Sequence, residues 1–501
     1  MIKKLLKLLP GIITIGLVLV FLALVVKGQI INHRLVFQYD KNTSVGGPFE
    51  SSNSTSRYAL TEALAEDHRI FLDRDEAAFS LPDLAGKNGK YYSIFTPGVS
   101  FLGVPMYLLG NLLRAPQLFT YLTTAVFAIL NVYLIYSLSG KLGASRIGSV
   151  IAGLVFLFAT DALAYSQTFT QHHYAVSVIL GTLFFAAKPV SVKNDIFIGL
   201  LLGAGLLIDI PNLLMLLPIE LFVLFRHFSL IQMDDSYQFK INLRLLALFL
   251  GFIPLFGVYC WYNFQTTGQP LIPAQIYGRT KSLDPQLVQE VTISEKRGGF
   301  AYNSRSLING VYILVFSNER GWFYYSPILA VGVLGLALVL KHPRLKNISL
   351  LLFSVILVDF ISYAMFGDPW GGWSFGPRYL IPATAAACIG VGPALKKYQK
   401  KLLFAGLFFV LLIYSIYINT LGVLTTGAVP PKVEAIALST HIPYTYQYNL
   451  QLLQNHFTSS LVYHLLFSGW FSPVIYQLLL VVGLYLFLTA FYVLDYLKYD
   501  T

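Results

Sequence analysis

Residues suited to chemistry gather in four short stretches, each beside an apolar run. In Phe366-Gly367-Asp368-Pro369-Trp370-Gly371-Gly372-Trp373-Ser374-Phe375-Gly376-Pro377-Arg378-Tyr379, four glycines and two tryptophans share a loop with one cation, Arg378. Glycine lets a backbone approach a ligand, and tryptophan faces suit sugar rings. A guanidinium offers a fixed fork of donors that suits phosphate. Arg378, Trp373 and Asp368 are therefore candidate anion- and sugar-binding residues, with an internal Asp368–Arg378 pair as the competing reading. The second stretch runs from Asp83 to Gly98. Its Asn88-Gly89 turn brings Lys90 and Tyr92 toward a helix start at Thr96–Gly98, whose free N–H groups also suit phosphate. An aromatic belt at headgroup depth is the alternative. The third is the acidic group Asp73, Asp75, Glu76 and Asp83. Such carboxylates could serve as a general base or hold a divalent cation, or form a solvated face. Asp83 is the first candidate base because it precedes the turn, and Asp75 is the second. The fourth, Ser317 to Pro327, places Arg320 among aromatic and small residues; a local Glu319–Arg320 pair would explain it equally well.

Other chemistries lack their residues. The chain has no HExxH, Walker, GxSxG or dinucleotide motif, and neither Cys260 nor Cys388 has metal-ligand spacing. No metal is assigned. The net charge of +11 comes from basic residues scattered through short loops, with no continuous basic stripe, so a nucleic-acid partner is excluded.

The elements that must position these residues are membrane helices. Of 501 residues, 56% are hydrophobic and 12% charged, against roughly a quarter charged in a soluble domain. Apolar runs near the ~20 residues of a span start close to Gly11, Leu118, Ile147, Tyr174, Ile196, Leu213, Leu245, Tyr325, Ile348, Leu380, Leu402 and Pro473. The expectation is an all-α polytopic protein of about twelve transmembrane helices in the cell membrane, the first an uncleaved span. Residues 196–225 should form a hairpin turning at Asp209-Ile210-Pro211-Asn212. Lys141, Arg146, Lys188, Lys193, Arg226, Arg244 and the group Lys396 to Lys401 share alternate short loops. This puts both termini in the cytoplasm and the four stretches outside. The long first outer loop should carry interfacial helices, one around residues 56–66 with oxygens of Ser54 to Ser56 as caps, and another over 97–113. Mid-membrane acids, Glu220 and Asp359, would suit a transporter or lipid flippase.

These residues resemble a known set. The first span, the outer loop with its surface helix, Gly89-Lys90-Tyr91-Tyr92-Ser93 to Pro97-Gly98, Glu319-Arg320-Gly321 to Pro327, and Trp370-Gly371-Gly372-Trp373 to Tyr379 look like GT-C membrane glycosyltransferases. The likeness is to the set related to protein O-mannosyltransferases and aminoarabinose lipid A transferases (glycosyltransferase family 39-like). It implies a GT-C-like module over 1–422, including the first outer loop 28–96, with an outer loop and last helix over 423–501. It also implies inverting transfer of a sugar from a polyprenyl-phosphate donor to an extracytoplasmic lipid, glycan or protein acceptor. The family's acidic pair before a tyrosine in the first loop is absent from Ser52-Asn53-Ser54-Thr55-Ser56-Arg57-Tyr58. Glu50, the nearest acid upstream, joins Asp83 and Asp75 as a candidate base, and a non-catalytic relative is the alternative.

Overall fold

The computed structural model describes residues 2–31, 34–36, 45–233, 236–276, 283, 303–438 and 441–498. The chain is mostly helical. Its first third holds α1 (Ile2–Leu24), α2 (Ser52–Glu66), α3 (Arg74–Ser80), α4 (Gly98–Leu112), α5 (Pro116–Lys141) and α6 (Arg146–Phe158). Next come α7 (Ala162–Tyr165), α8 (His172–Ala186), α9 (Val192–Ile208), α10 (Asn212–Phe225), α11 (Leu245–Thr267), α12 (Leu307–Val315), α13 (Trp322–Tyr325) and α14 (Leu329–Val339). The chain then forms α15 (Lys346–Ala364), α16 (Ile381–Ile389), α17 (Val391–Tyr398), α18 (Leu402–Leu424), α19 (Lys432–Ala437), α20 (Gln447–Gln454) and α21 (Pro473–Lys498). Strands occur only as antiparallel hairpins among the described residues: β1 (Gln29–Ile31) with β2 (Arg34–Val36), β3 (Leu84–Lys87) with β4 (Lys90–Ser93), and β5 (Phe228–Met233) with β6 (Ser236–Ile241).

Among the described residues six helices are long and apolar enough to cross a membrane: α5, α11, α15, the run Arg378–Tyr398, α18 and α21. Shorter apolar helices stand beside them, among them α4, α6, α8, α10 and α14. The protein is therefore a polytopic helical membrane protein. The expected hairpin over 196–225 is α9 and α10, broken where Asp209 turns extended (φ −166°, ψ 137°). There the Asn212 side-chain amide donates to the carbonyl of Gly205 at 3.0 Å.

Several helices meet backbone to backbone at glycines. A Cβ on Gly199 of α9 would stand 2.0 Å from the carbonyl oxygen of Leu248 in α11, and one on Gly251 2.1 Å from that of Ile196. A Cβ on Gly335 of α14 would stand 1.7 Å from the carbonyl oxygen of Gly390, between α16 and α17. Lipid supplies little hydrophobic drive between helices, so small residues that admit close dispersion contact hold them together. The seam between α18 and α21 is built differently, from rings: Tyr492 lies 5.4 Å from Phe408 and 4.8 Å from Phe409. The final segment is stitched to the first helix, because Gly28 N–H donates to the Ser459 carbonyl and Leu461 N–H to that of Val26.

One expectation is corrected. The first-loop helix begins at Ser52, and its cap is Ser51, whose hydroxyl accepts the N–H of Ser54 at 3.4 Å. Nor does it lie open on a membrane surface: Ser54 to Thr61 are buried. The reason is that α4 covers it, with Thr61 donating to the Ser100 carbonyl at 3.2 Å and Ser100 to that of Arg57 at 2.9 Å.

Candidate active site

Arg57 is the centre of the site and was not among the expected site residues. The buried turn of α2 holds it fully covered. The hydroxyls of Thr61 and Ser100 both donate to its carbonyl, fixing that turn, and its guanidinium lies 3.9 Å from the centre of the Phe95 ring. Nη1 donates to the carbonyl and side chain of Asn53, while Nε and Nη2 have no hydrogen-bond partner. Burial pushes its pKa down to about 10 against the opposing pull of Asp209 and Asp83. A buried cation with unused donors beside carboxylates is a receptor for a further anion.

The surroundings come from five segments. Asp83, buried, accepts the Ser52 hydroxyl at 2.7 Å, and its backbone carbonyl accepts that of Ser56 at 2.8 Å. The start of α4 presses on the last turn of α9, since a Cβ on Gly98 would stand 2.5 Å from the Leu207 carbonyl oxygen. Two residues before Gly98, the buried Thr96 hydroxyl has no hydrogen-bond partner. Burial raises the Asp209 pKa, opposed by Arg57 and by a hydrogen bond with Gln171. His172 stacks edge-on against Tyr165 at 5.0 Å. The Tyr165 hydroxyl in turn accepts the N–H of Phe375 and donates to its carbonyl, both at 3.1 Å. This fixes the glycine–tryptophan loop, where Gly371, Gly372 and Gly376 take positive φ of 73°, 62° and 62°. A Cβ on Gly376 would stand 3.2 Å from Asp161, whose pKa burial pushes up to about 7.

Arg378 reaches this region from the loop. Its Nη2 donates to the Gly371 carbonyl at 2.5 Å and its Nε has no hydrogen-bond partner. Asp368 acts on it electrostatically, but among the described residues no Asp368–Arg378 contact is an ion pair. Arg57 and Arg378 also act electrostatically on each other and on His172, so the three side chains are neighbours.

The other expected residues are dispersed. Arg320 is fully buried and donates to the carbonyls of Glu319 (2.8 Å), Trp370 (3.0 Å), Gly372 (3.4 Å) and Val429 (2.8 Å), and to the Ser374 hydroxyl. There is no local Glu319–Arg320 side-chain pair: the Glu319 carboxylate accepts Trp370 Nε1 at 2.7 Å and the Lys432 N–H at 3.2 Å. The exposed Trp373 donates to Glu434. Lys90 is exposed over the Phe71 ring, 4.5 Å from its centre, while Tyr92 is buried beside Tyr262. Asp75 is exposed, within the first turn of α3 between Asp73 and Glu76, which build a capping box. Arg69 binds Asp67, Asp73 and Glu76 at 2.8, 3.2 and 2.5 Å, so most of the acidic cluster is a local knot. Glu50 is held by Lys27 at 3.7 Å, by the N–H groups of Gly46 and Gly427 at 2.7 and 2.6 Å, and by Thr426. Among the described residues no group of three His, Cys, Asp or Glu side chains could hold a metal ion.

One signal could have found Arg57: Ser51 to Thr61 is rich in hydroxyls yet carries a single charge, an odd composition for a solvated helix.

No protein-family model matches the chain, and no curated protein matches it by sequence. Solved structures do. ArnT from Cupriavidus metallidurans bound to undecaprenyl phosphate superposes with a TM-score of 0.52 at 13% identity, over 97% of this chain and 77% of that one. The apo state of the same protein gives 0.49 at 13% identity, over 96% and 75%. The oligosaccharyltransferase of Archaeoglobus fulgidus, in complex with zinc and sulfate, gives 0.42 at 16% identity, over 84% and 54%. The fold shared with the undecaprenyl-phosphate-bound ArnT is the GT-C fold expected from the sequence.

Proposed function

We propose that this chain is a glycosyltransferase that moves a sugar from a polyprenyl-phosphate donor to an acceptor hydroxyl at the extracytoplasmic membrane face. The observation that carries the reading is the pair of neighbouring arginines, buried Arg57 and half-buried Arg378, which act electrostatically on each other and each keep a guanidinium nitrogen without a hydrogen-bond partner. The ligand that suits two forks, a helix start at Gly98 and a surrounding bilayer is a lipid-linked phosphate. The bound undecaprenyl phosphate of the ArnT structure is a molecule of that class.

In this reading Arg57 and Arg378 bind the donor phosphate and stabilise it as it leaves. Asp83 is the general base: it takes the acceptor proton as the acceptor oxygen attacks the anomeric carbon from the face opposite the phosphate, with inversion. Of the three candidate bases, Asp83 is the one that acts electrostatically on Arg57. Arg320 organises the loop through its carbonyl contacts, and Lys90 and Trp373 are exposed, where a polar acceptor would approach. About twelve helices cross the bilayer, both termini are cytoplasmic and residues 1–422 form the catalytic module. The basic short loops lie at the end opposite the site, where Lys396 reaches the Gly143 carbonyl and Arg226 that of Lys188. This fits cytoplasmic placement of that end.

The test is a binding and transfer assay on purified protein with polyprenyl-phosphate sugars. A charged hydrogen bond is worth about 1.5–3 kcal/mol, so Arg57→Ala and Arg378→Ala should each weaken donor binding by roughly ten- to a hundredfold. Arg378→Lys should restore part of it, since a point charge lacks the fork. Unchanged donor affinity in both alanine variants, or no transfer with any polyprenyl-phosphate sugar, overturns the assignment.

A further inference from the structure

The hairpin β5–β6 joins α10 to α11 at the end of the bundle opposite the site. Its register pairs Phe228 with Ile241 and Gln232 with Tyr237. Residues two apart on a strand share a face, so Tyr237, Phe239 and Ile241 lie on one side of β6 and Gln238 and Lys240 on the other. All five are exposed, Tyr237 by 66% and Phe239 by 62%. Phe228 stacks on Phe239 with ring centres 5.3 Å apart, extending the apolar side across both strands.

The root of the hairpin is fixed. His227 is buried against Asp195 of α9 at 3.6 Å, its carbonyl accepts the Asn242 N–H at 2.8 Å, and Arg226 donates to the Lys188 carbonyl at 2.7 Å. The apolar side therefore has a set direction. Directly after it, α11 presents an exposed stripe at Leu246, Phe249, Leu250 and Ile253, the helical spacing of a lipid-facing side. From these observations the geometry points to one occupant for the hairpin's apolar side: the surface of the bilayer that α11 enters. Burial of the aromatic side is the driving force. Charge is secondary, because Arg226, Lys240 and Arg244 are offset in sequence by Asp234 and Asp235. The hairpin is two-stranded, so its outer edges have N–H and C=O groups that need water. It rests at headgroup depth and does not enter the hydrocarbon.

The test uses the full chain in phosphatidylcholine nanodiscs, with Cys260→Ser and Cys388→Ala removing the free cysteines. Single cysteines at 237 to 241 carry a nitroxide, and accessibility is read against oxygen, which partitions into lipid, and against a polar nickel chelate. Labels at 237, 239 and 241 should favour oxygen and those at 238 and 240 nickel, an alternation of period two. Phe239→Trp, which keeps a ring, gives an independent reading: brominated lipid should quench its added emission, and Gln238→Trp should be quenched less. Uniform nickel access at all five positions overturns the proposal by showing a hairpin standing in water. Labels at 237, 239 and 241 shielded from both reagents overturn it in favour of a protein partner.

Discussion

A carboxylate's partners decide its work, and Glu50 and Asp83 show the contrast. Glu50 is spent on Lys27, two backbone N–H groups and Thr426, whereas Asp83 accepts the Ser52 hydroxyl and acts electrostatically on Arg57. Removing a general base costs about 10²–10⁴-fold in rate. Asp83→Asn should therefore lose that much turnover while keeping its fold, and Glu50→Gln should lower thermal stability with a smaller kinetic effect. Full turnover in Asp83→Asn would end its candidacy. Asp161 makes a second, pH-dependent case. Its folded pKa of about 7 lies above the usual carboxylate value, so the native state holds the proton longer than the unfolded one. The parent should lose stability as pH rises from about 4 to about 7. Asp161→Asn, which resembles the protonated acid, should escape that loss, so the gap between their melting temperatures should open across this window and stay level above it. A gap independent of pH would show that burial does not govern this carboxyl. At this scale the sequence revealed less than it contained. Arg378 stood out as the single cation of a glycine-rich loop, but Arg57 was hidden, because counting apolar residues on α2 does not reveal that its serines and threonines are buried too.

Helix positions were the most legible feature, since runs of apolar residues are required by the bilayer itself. The break at Asp209-Ile210-Pro211 could be read for the same reason: an acid and a proline cannot both sit inside an apolar helix without a turn or partner. Contacts between elements were not legible. That α4 lies over α2 depends on Thr61–Ser100 hydrogen bonds with no signature in hydropathy. Asp359, which suited a transporter, accepts the Ala383 N–H at 2.9 Å and so caps the start of α16. The glycine contacts give a direct test of packing. Gly199→Ala puts a methyl 2.0 Å from the Leu248 carbonyl oxygen, whereas Gly257 of the same pair of helices has nothing within 4 Å. Overpacking typically costs about 1–3 kcal/mol. Gly199→Ala should melt well below the parent in detergent and Gly257→Ala close to it; equal melting would mean that α9 and α11 are not in backbone contact.

Across the whole molecule, the loops that carry chemistry and the loops that carry lysine lie at opposite ends of one bundle. Cysteines placed near Asn88 and Trp373 should react with an impermeant reagent on intact cells, and those near Lys397 only after permeabilisation. The reverse pattern would invert the topology proposed above. The glycine contacts also set the mechanics of the bundle. Helices touching along their backbones cannot slide or part without losing every contact at once, so α9 with α11, and α14 with α16, behave as stiff plates. The ring-lined seam between α18 and α21 is compliant by comparison, because aromatic side chains can turn about their own bonds while the helices separate by small steps. Any breathing of the bundle is thereby channelled to that flank, and the plates keep Asp209 and the start of α4 in register while it happens.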